Sequence, residues 1–301
     1  MEGEIILAKG WKFRRKHRPQ GFTLVELMVV IAGISMLMGL MLPVLSKARR
    51  MADSIRNVNN QRQITQALFF YSADNDGWYP KSVATVGFDD IWNWSDPRKL
   101  IGKHKRTPVS HRAMSEYLGK YIKDAGIMFC PNAPFEYKYL QQAWQAGDQW
   151  DNPDTALPRD PLGGTYCFWW NYIGYLGPRK LFVGPSAATG DRHKSRLLVS
   201  DFFGYGQCQN RSAFGSCEEL KNASVTDETW LLSSYWSCEG DLNSQKPEVT
   251  LSAGYTDGHV QSYSSLDVVL LRVSKTSDGR TPYPDPPLGL GIFFVPQNCM
   301  H

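Results

Sequence analysis

The chain has 301 residues, with 33 Lys and Arg, 29 Asp and Glu, and a formal charge of +4. Its first 21 residues hold six of those bases and two of the acids, so the remainder carries 27 of each sign. A balanced remainder has no bulk electrostatic reason to bind nucleic acid. The length accommodates one stalk helix and one large or two small globular parts.

The first element is basic, then apolar. Lys9, Lys12, Arg14, Arg15, Lys16 and Arg18 precede a stretch from Phe22 to Leu45 in which Glu26 is the only ionisable side chain. About 20 mostly apolar residues cross a bilayer as a helix, so this stretch is long enough to span. Lys47, Arg49, Arg50 and Arg56 follow it. The excess of bases upstream predicts a cytoplasmic N-terminus. A carboxylate near the start of such a helix costs roughly 2.5–3.5 kcal/mol on insertion scales, so Glu26 asks for a partner. A secretory signal peptide would have a shorter apolar region and a small-residue cleavage site, neither of which is present.

The basic leader, Gly21, Phe22-Thr23-Leu24-Val25-Glu26 and the apolar run closely resemble the class III signal of type IV pilins and type II secretion pseudopilins. The resemblance implies that a prepilin peptidase cuts between Gly21 and Phe22 and methylates the new amine. Glu26 would then be the fifth mature residue, the signature acid, and Pro43 would stand where pilins often carry a helix-bending proline. A neighbouring subunit's Glu26 would pair with the Phe22 amine and set the register of a filament of like subunits. An inner-membrane platform protein and its ATPase would drive assembly. The implied location is the bacterial inner membrane, single-pass in its lipid, with the C-terminal domain periplasmic or extracellular.

The likeness continues past the membrane. Val58-Asn59-Asn60-Gln61 through Tyr79-Pro80 resembles the post-helix segment of pseudopilin-like proteins with long C-terminal domains. Tyr255-Thr256-Asp257-Gly258-His259-Val260 resembles their processing-associated Asp-Gly motif, although Pro247 occupies the position of its upstream His.

Ala48, Met51, Ile55, Val58, Ile64, Leu68 and Tyr71 recur at three and four residues, which predicts an apolar face on a continuing helix. Arg49, Arg50, Arg56, Asn59 and Gln63 would lie opposite. Such a helix from Thr23 to Ala73 would be ~75 Å long, ending at Asp74-Asn75-Asp76-Gly77, where Gly and Asn suit left-handed caps. Beyond it, short helices are predicted over His111–Lys123 and Pro134–Gln145. Strands are predicted over Thr165–Tyr175, Arg196–Ser200, Thr229–Trp236, Ser252–Thr256 and His259–Tyr263. Asp257-Gly258 between the last two predicts a two-residue type I′ hairpin. The proline-rich tail from Thr276 reads as irregular.

The expected fold is α+β, a long helix packed on a loop-rich antiparallel domain. Its parts are a leader over 1–21, a membrane and assembly helix over 22–45, its amphipathic continuation over 46–75 and an exported domain over 76–301.

Six cysteines on the exported side suggest disulfides, with Cys208 and Cys217 the best local pair. No Cys–His spacing suggests zinc. Asp74 and Asp76 offer oxygens for calcium, but the later Glu of an EF-hand loop is absent; no cofactor is otherwise implied. His193 and Asp201 have no nucleophile elbow to serve, so no enzyme is expected. Trp92, Trp94, Trp144, Trp150, Trp169 and Trp170 would bind sugars if exposed and form core if buried. The expected role is a structural pilin-like subunit. The alternative is a surface adhesin or glycan-binding module delivered by a pilin-type helix.

Overall fold

The computed structural model describes residues 22–84, 97–101, 113–131, 139–150, 162–176, 181–189, 194–205, 213–215, 218–219, 250–271 and 292–299. Its contacts divide the chain into two units, with the boundary after Arg50. The fold is α+β: a long N-terminal helix and an antiparallel β-sheet domain.

Helix α1 runs Leu24–Asp74, 51 residues including Pro43. Residues 22–50 are exposed throughout, which leaves their apolar side chains without a protein partner among the described residues. A helix that is apolar all round needs an apolar surrounding rather than water.

The second unit starts with the rest of α1. Asn57, Gln61, Ile64, Thr65, Ala67, Leu68 and Ser72 are its buried residues, at spacings of three and four. The buried face is therefore partly polar, and it is rotated from the purely apolar face expected. Ile64 and Leu68 are buried, but Ala48, Met51 and Ile55 are exposed. The helix ends on a left-handed pair, Asp76 (φ 52°) and Gly77 (φ 84°), with Gly77 N–H returning to the Ser72 carbonyl at 2.8 Å. Asp76, rather than Asn75, shares that conformation with glycine.

Thirteen short strands are described: β1 Lys99–Ile101, β2 Leu162–Gly163, β3 Tyr166–Phe168, β4 Ile173–Tyr175, β5 Leu181–Val183, β6 Leu197–Asp201, β7 Gly204–Tyr205, β8 Ala213–Gly215, β9 Glu218–Glu219, β10 Thr250–Tyr255, β11 Val260–Ser264, β12 Val268–Leu271 and β13 Ile292–Pro296. The central sheet has the order β11-β10-β6-β3, every pair antiparallel. A second sheet runs β12-β13-β7-β8-β9, and β1-β2 and β4-β5 form two-stranded pairs.

Two helices lie between, α2 Met114–Leu118 and α3 Leu140–Ala146, each shorter than its expected span. The run Thr165–Tyr175 is two strands rather than one, because Asn171 takes φ 52° in a turn between them. Thr229–Trp236 lies outside the described residues. The tail after Thr276 was expected to be irregular, yet Ile292–Pro296 is a strand. It pairs with β12 and β7, and Phe293, Phe294 and Val295 are buried.

Two apolar clusters fill this unit. One gathers Ile64 and Leu68 of α1 with Leu100, Met114, Leu118, Trp144, Trp150, Tyr166 and Val199. The other joins Trp169, Tyr172, Phe182, Leu197, Ala253, Phe293 and Val295. Trp144, Trp150, Trp169 and Trp170 are thus core. Trp169 Nε1–H donates to Ser200 Oγ at 2.9 Å and Trp144 Nε1–H to the Ile122 carbonyl at 3.0 Å, which satisfies their polar ends.

Close approach of α1 to the sheet depends on Gly254 of β10. A Cβ there would lie 2.7 Å from Thr65 Oγ1 and 3.0 Å from Val199 Cγ1. Gly254→Ala is therefore expected to destabilise the fold by ~1–3 kcal/mol through overpacking. Adding Thr65→Ala should restore part of that loss, and a double-mutant cycle by chemical denaturation measures the coupling.

Candidate processing and assembly site

The start of α1 is closed by its own side chains. Thr23 precedes the first helical residue, Leu24, and Glu26 occupies the third helical position. Thr23 Oγ1 accepts from the Glu26 N–H at 3.2 Å. Glu26 Oε2 in return accepts from the Thr23 N–H at 2.9 Å and the Thr23 hydroxyl at 2.7 Å. This reciprocal arrangement is a capping box. It satisfies donors at the helix N-terminus and places a negative charge at the positive end of the helix dipole. The T-x-x-E spacing was legible as a cap, but Glu26 was read as an acid in an apolar run and as the signature acid of the pilin-type resemblance.

Phe22 is exposed directly before this box, and Gly21 lies outside the described residues. Further along, Pro43 lacks the N–H that would bond one turn back. Ser46 Oγ donates to the Pro43 carbonyl at 2.9 Å and Ser35 Oγ to the Ile31 carbonyl at 2.7 Å, so these hydroxyls are satisfied within the helix. Residues 24–74 are the one described helix long and apolar enough to cross a membrane.

Residues 16–42 match the family model of the prokaryotic N-terminal methylation motif. This is the pilin-type signal. It spans the leader's last bases, Gly21, Phe22, Glu26 and most of the apolar run, and it supports a type IV pilin-like or pseudopilin class. Such a motif implies processing by a prepilin peptidase and filament assembly with like subunits. It points to a structural protein, and the apolar helix is consistent with a single-pass membrane anchor. No curated protein and no solved structure was found to match the chain.

The pilin-type helix meets its sheet at a buried carboxylate. Asp201, the last residue of β6, is fully buried. Asn57 Nδ2 donates to its two oxygens at 2.9 and 3.0 Å, and Gln61 Nε2 donates to Oδ1 at 2.6 Å. The Ser252 N–H of β10 donates to Oδ2 at 2.7 Å. Tyr166 of β3 donates its hydroxyl to Asn57 Oδ1 at 2.7 Å. Burial, then the charge of Asp201, pushes the Tyr166 phenol well above its usual range, so it stays a neutral donor. Asn60 Nδ2 donates to the Phe129 carbonyl at 2.9 Å. One acid thus binds two side chains a turn apart on α1 and joins β6, β10 and β3 to them. Its oxygens are engaged in holding the helix, and His193, the other half of the hydrolase pair considered, lies outside the described residues.

Asn57 and Gln61 were missed as interface residues because a search for apolar periodicity passes over amides. The usable signal was their spacing of four in register with Ile64, Thr65 and Leu68.

The Asp-Gly motif forms the β10–β11 turn, with a different geometry from the expected one. Tyr255 N–H donates to the His259 carbonyl at 3.0 Å and Gly258 N–H to the Tyr255 carbonyl at 2.9 Å. Three residues, Thr256-Asp257-Gly258, therefore join the strands, and only Gly258 is left-handed (φ 87°). A type I′ turn needs two such residues; a three-residue loop with a glycine bulge needs one. Asp257 is otherwise engaged: its carboxylate meets Arg196 Nη2 at 2.5 Å, the His259 N–H at 3.2 Å and the His259 ring. The His259 ring stacks on Tyr255 at 4.6 Å between centroids. A Cβ on Gly258 would lie 3.5 Å from Phe69 of α1, so this turn also abuts the helix.

At the far end of α1, Asp74 pairs with Lys120 and accepts the Tyr121 hydroxyl at 2.6 Å. The Lys120 bond holds its carboxyl below the usual carboxylate range, with the Tyr121 bond acting in the same direction. Asp76 lies exposed in the turn beyond. Cys208, Cys217, Trp92 and Trp94 lie outside the described residues. Trp78 is the exposed tryptophan among those described, at 59%, and the described cluster members Trp144, Trp150, Trp169 and Trp170 are buried and offer no sugar-stacking face.

Removing the central acid tests this interface. Asp201→Ala would leave buried donors of Asn57, Gln61 and Ser252 unpaired, each costing about 1–3 kcal/mol. A total loss of ~3–5 kcal/mol is expected, read by denaturation of the full chain in detergent. Loss below 1 kcal/mol would mean that water or repacking replaces the carboxylate.

Proposed function

We propose that the chain is a type II secretion pseudopilin or type IV pilus-like subunit, cut between Gly21 and Phe22, N-methylated and built into a filament by an inner-membrane platform and its ATPase. The observation that carries this reading is the methylation motif over residues 16–42. The geometry of Glu26 supports its assembly step. Both capping bonds fall on Oε2, and among the described residues Oε1 makes none. A neighbour's Phe22 ammonium can bond Oε1 while the capping box stays closed. Such a pair in an apolar bundle penalises any axial shift that leaves either charge alone, which is how a buried polar pair sets register.

The exported placement of the second unit draws support from its six cysteines, an even number able to form disulfides. Such bonds persist in oxidising compartments and are rare in the cytosol. Residues 22–50 support packing of the helix in lipid or among like helices, since their apolar side chains are exposed in the single chain. The calcium reading of Asp74 and Asp76 rests on their oxygens alone, and a cation at Asp74 would compete with Lys120.

Intact mass and N-terminal sequence of membrane-purified protein, from cells with and without the peptidase, test the processing. A chain beginning at N-methyl-Phe22 is expected only when the peptidase is present. An uncut chain in peptidase-positive cells would leave an ordinary membrane anchor and remove the filament reading. Glu26→Ala is expected to insert normally and to fail in assembly, seen as wild-type membrane levels with little or no cross-linked oligomer. Normal incorporation of that variant would sink the register role.

A further inference from the structure

We draw no further inference here: the strongest candidate, the surface patch near the end of α1 where exposed Phe70 stacks on Tyr121 beside the Asp74–Lys120 pair, carries nothing because nothing in the structure shows what covers it.

Discussion

A single buried carboxylate fixes how the second half of α1 lies on its sheet. Asp201 is buried away from solvent, so its charge calls for donors from the protein. Two come from α1, one turn apart, and one from the backbone of β10. A hydrophobic contact tolerates sliding by a fraction of a turn, because burial is nearly indifferent to direction. A carboxylate gripping positions 57 and 61 does not, because a shift of one residue carries both amides out of reach. Gly254 depends on the same register, since its missing Cβ makes room for Thr65, one further turn along the same face. The Asp-Gly turn lies beside Phe69 on the next turn. Polar hub, glycine slot and hairpin tip thus mark successive turns of one helix on one sheet.

Much of this was legible, and what was not fails for identifiable reasons. The long helix, the strands β6, β10 and β11, and the pilin-type signal follow from local patterns: an uninterrupted apolar run, alternating strand residues and an acid at a set distance from a glycine. Strand β13 was hidden because its partners, β7 and β12, pair with it through contacts that no local window contains. Its apolar run Ile292–Val295 was a usable signal, outweighed by the prolines before it. The two-residue hairpin reading treated Asp257 as turn-forming alone, whereas its side chain is bound to Arg196 and His259. For the amphipathic helix the error was one of definition. Burial was equated with apolarity, and Asn57, Gln61, Thr65 and Ser72 are buried polar residues.

The two halves of α1 are written for different surroundings. Before Ser46 the helix is apolar on nearly every side and starts with a capping box that satisfies the Thr23 and Glu26 N–H groups internally, as an apolar surrounding favours. Beyond Met51 one face is buried on the domain, and the Asn57 and Gln61 amide N–H groups on it donate to Asp201. Met51 and Ile55 stay exposed, so apolar character persists about two to three turns past the end of the apolar run at Leu45.

That persistence explains why a polar grip suits this helix better than an oily one. An apolar stripe binding the domain would extend the hydrophobic run past Leu45 and blur where that run ends, since lipid and core attract the same side chains. Lys47, Arg49 and Arg50 resist entry into hydrocarbon, and Asn57 and Gln61 bind only where Asp201 waits for them. Each stretch then has one environment in which it is satisfied. The cost is a buried charge, which a well-packed apolar replacement would often match or exceed in stability. The return is a helix whose apolar half and domain-bound half cannot exchange roles.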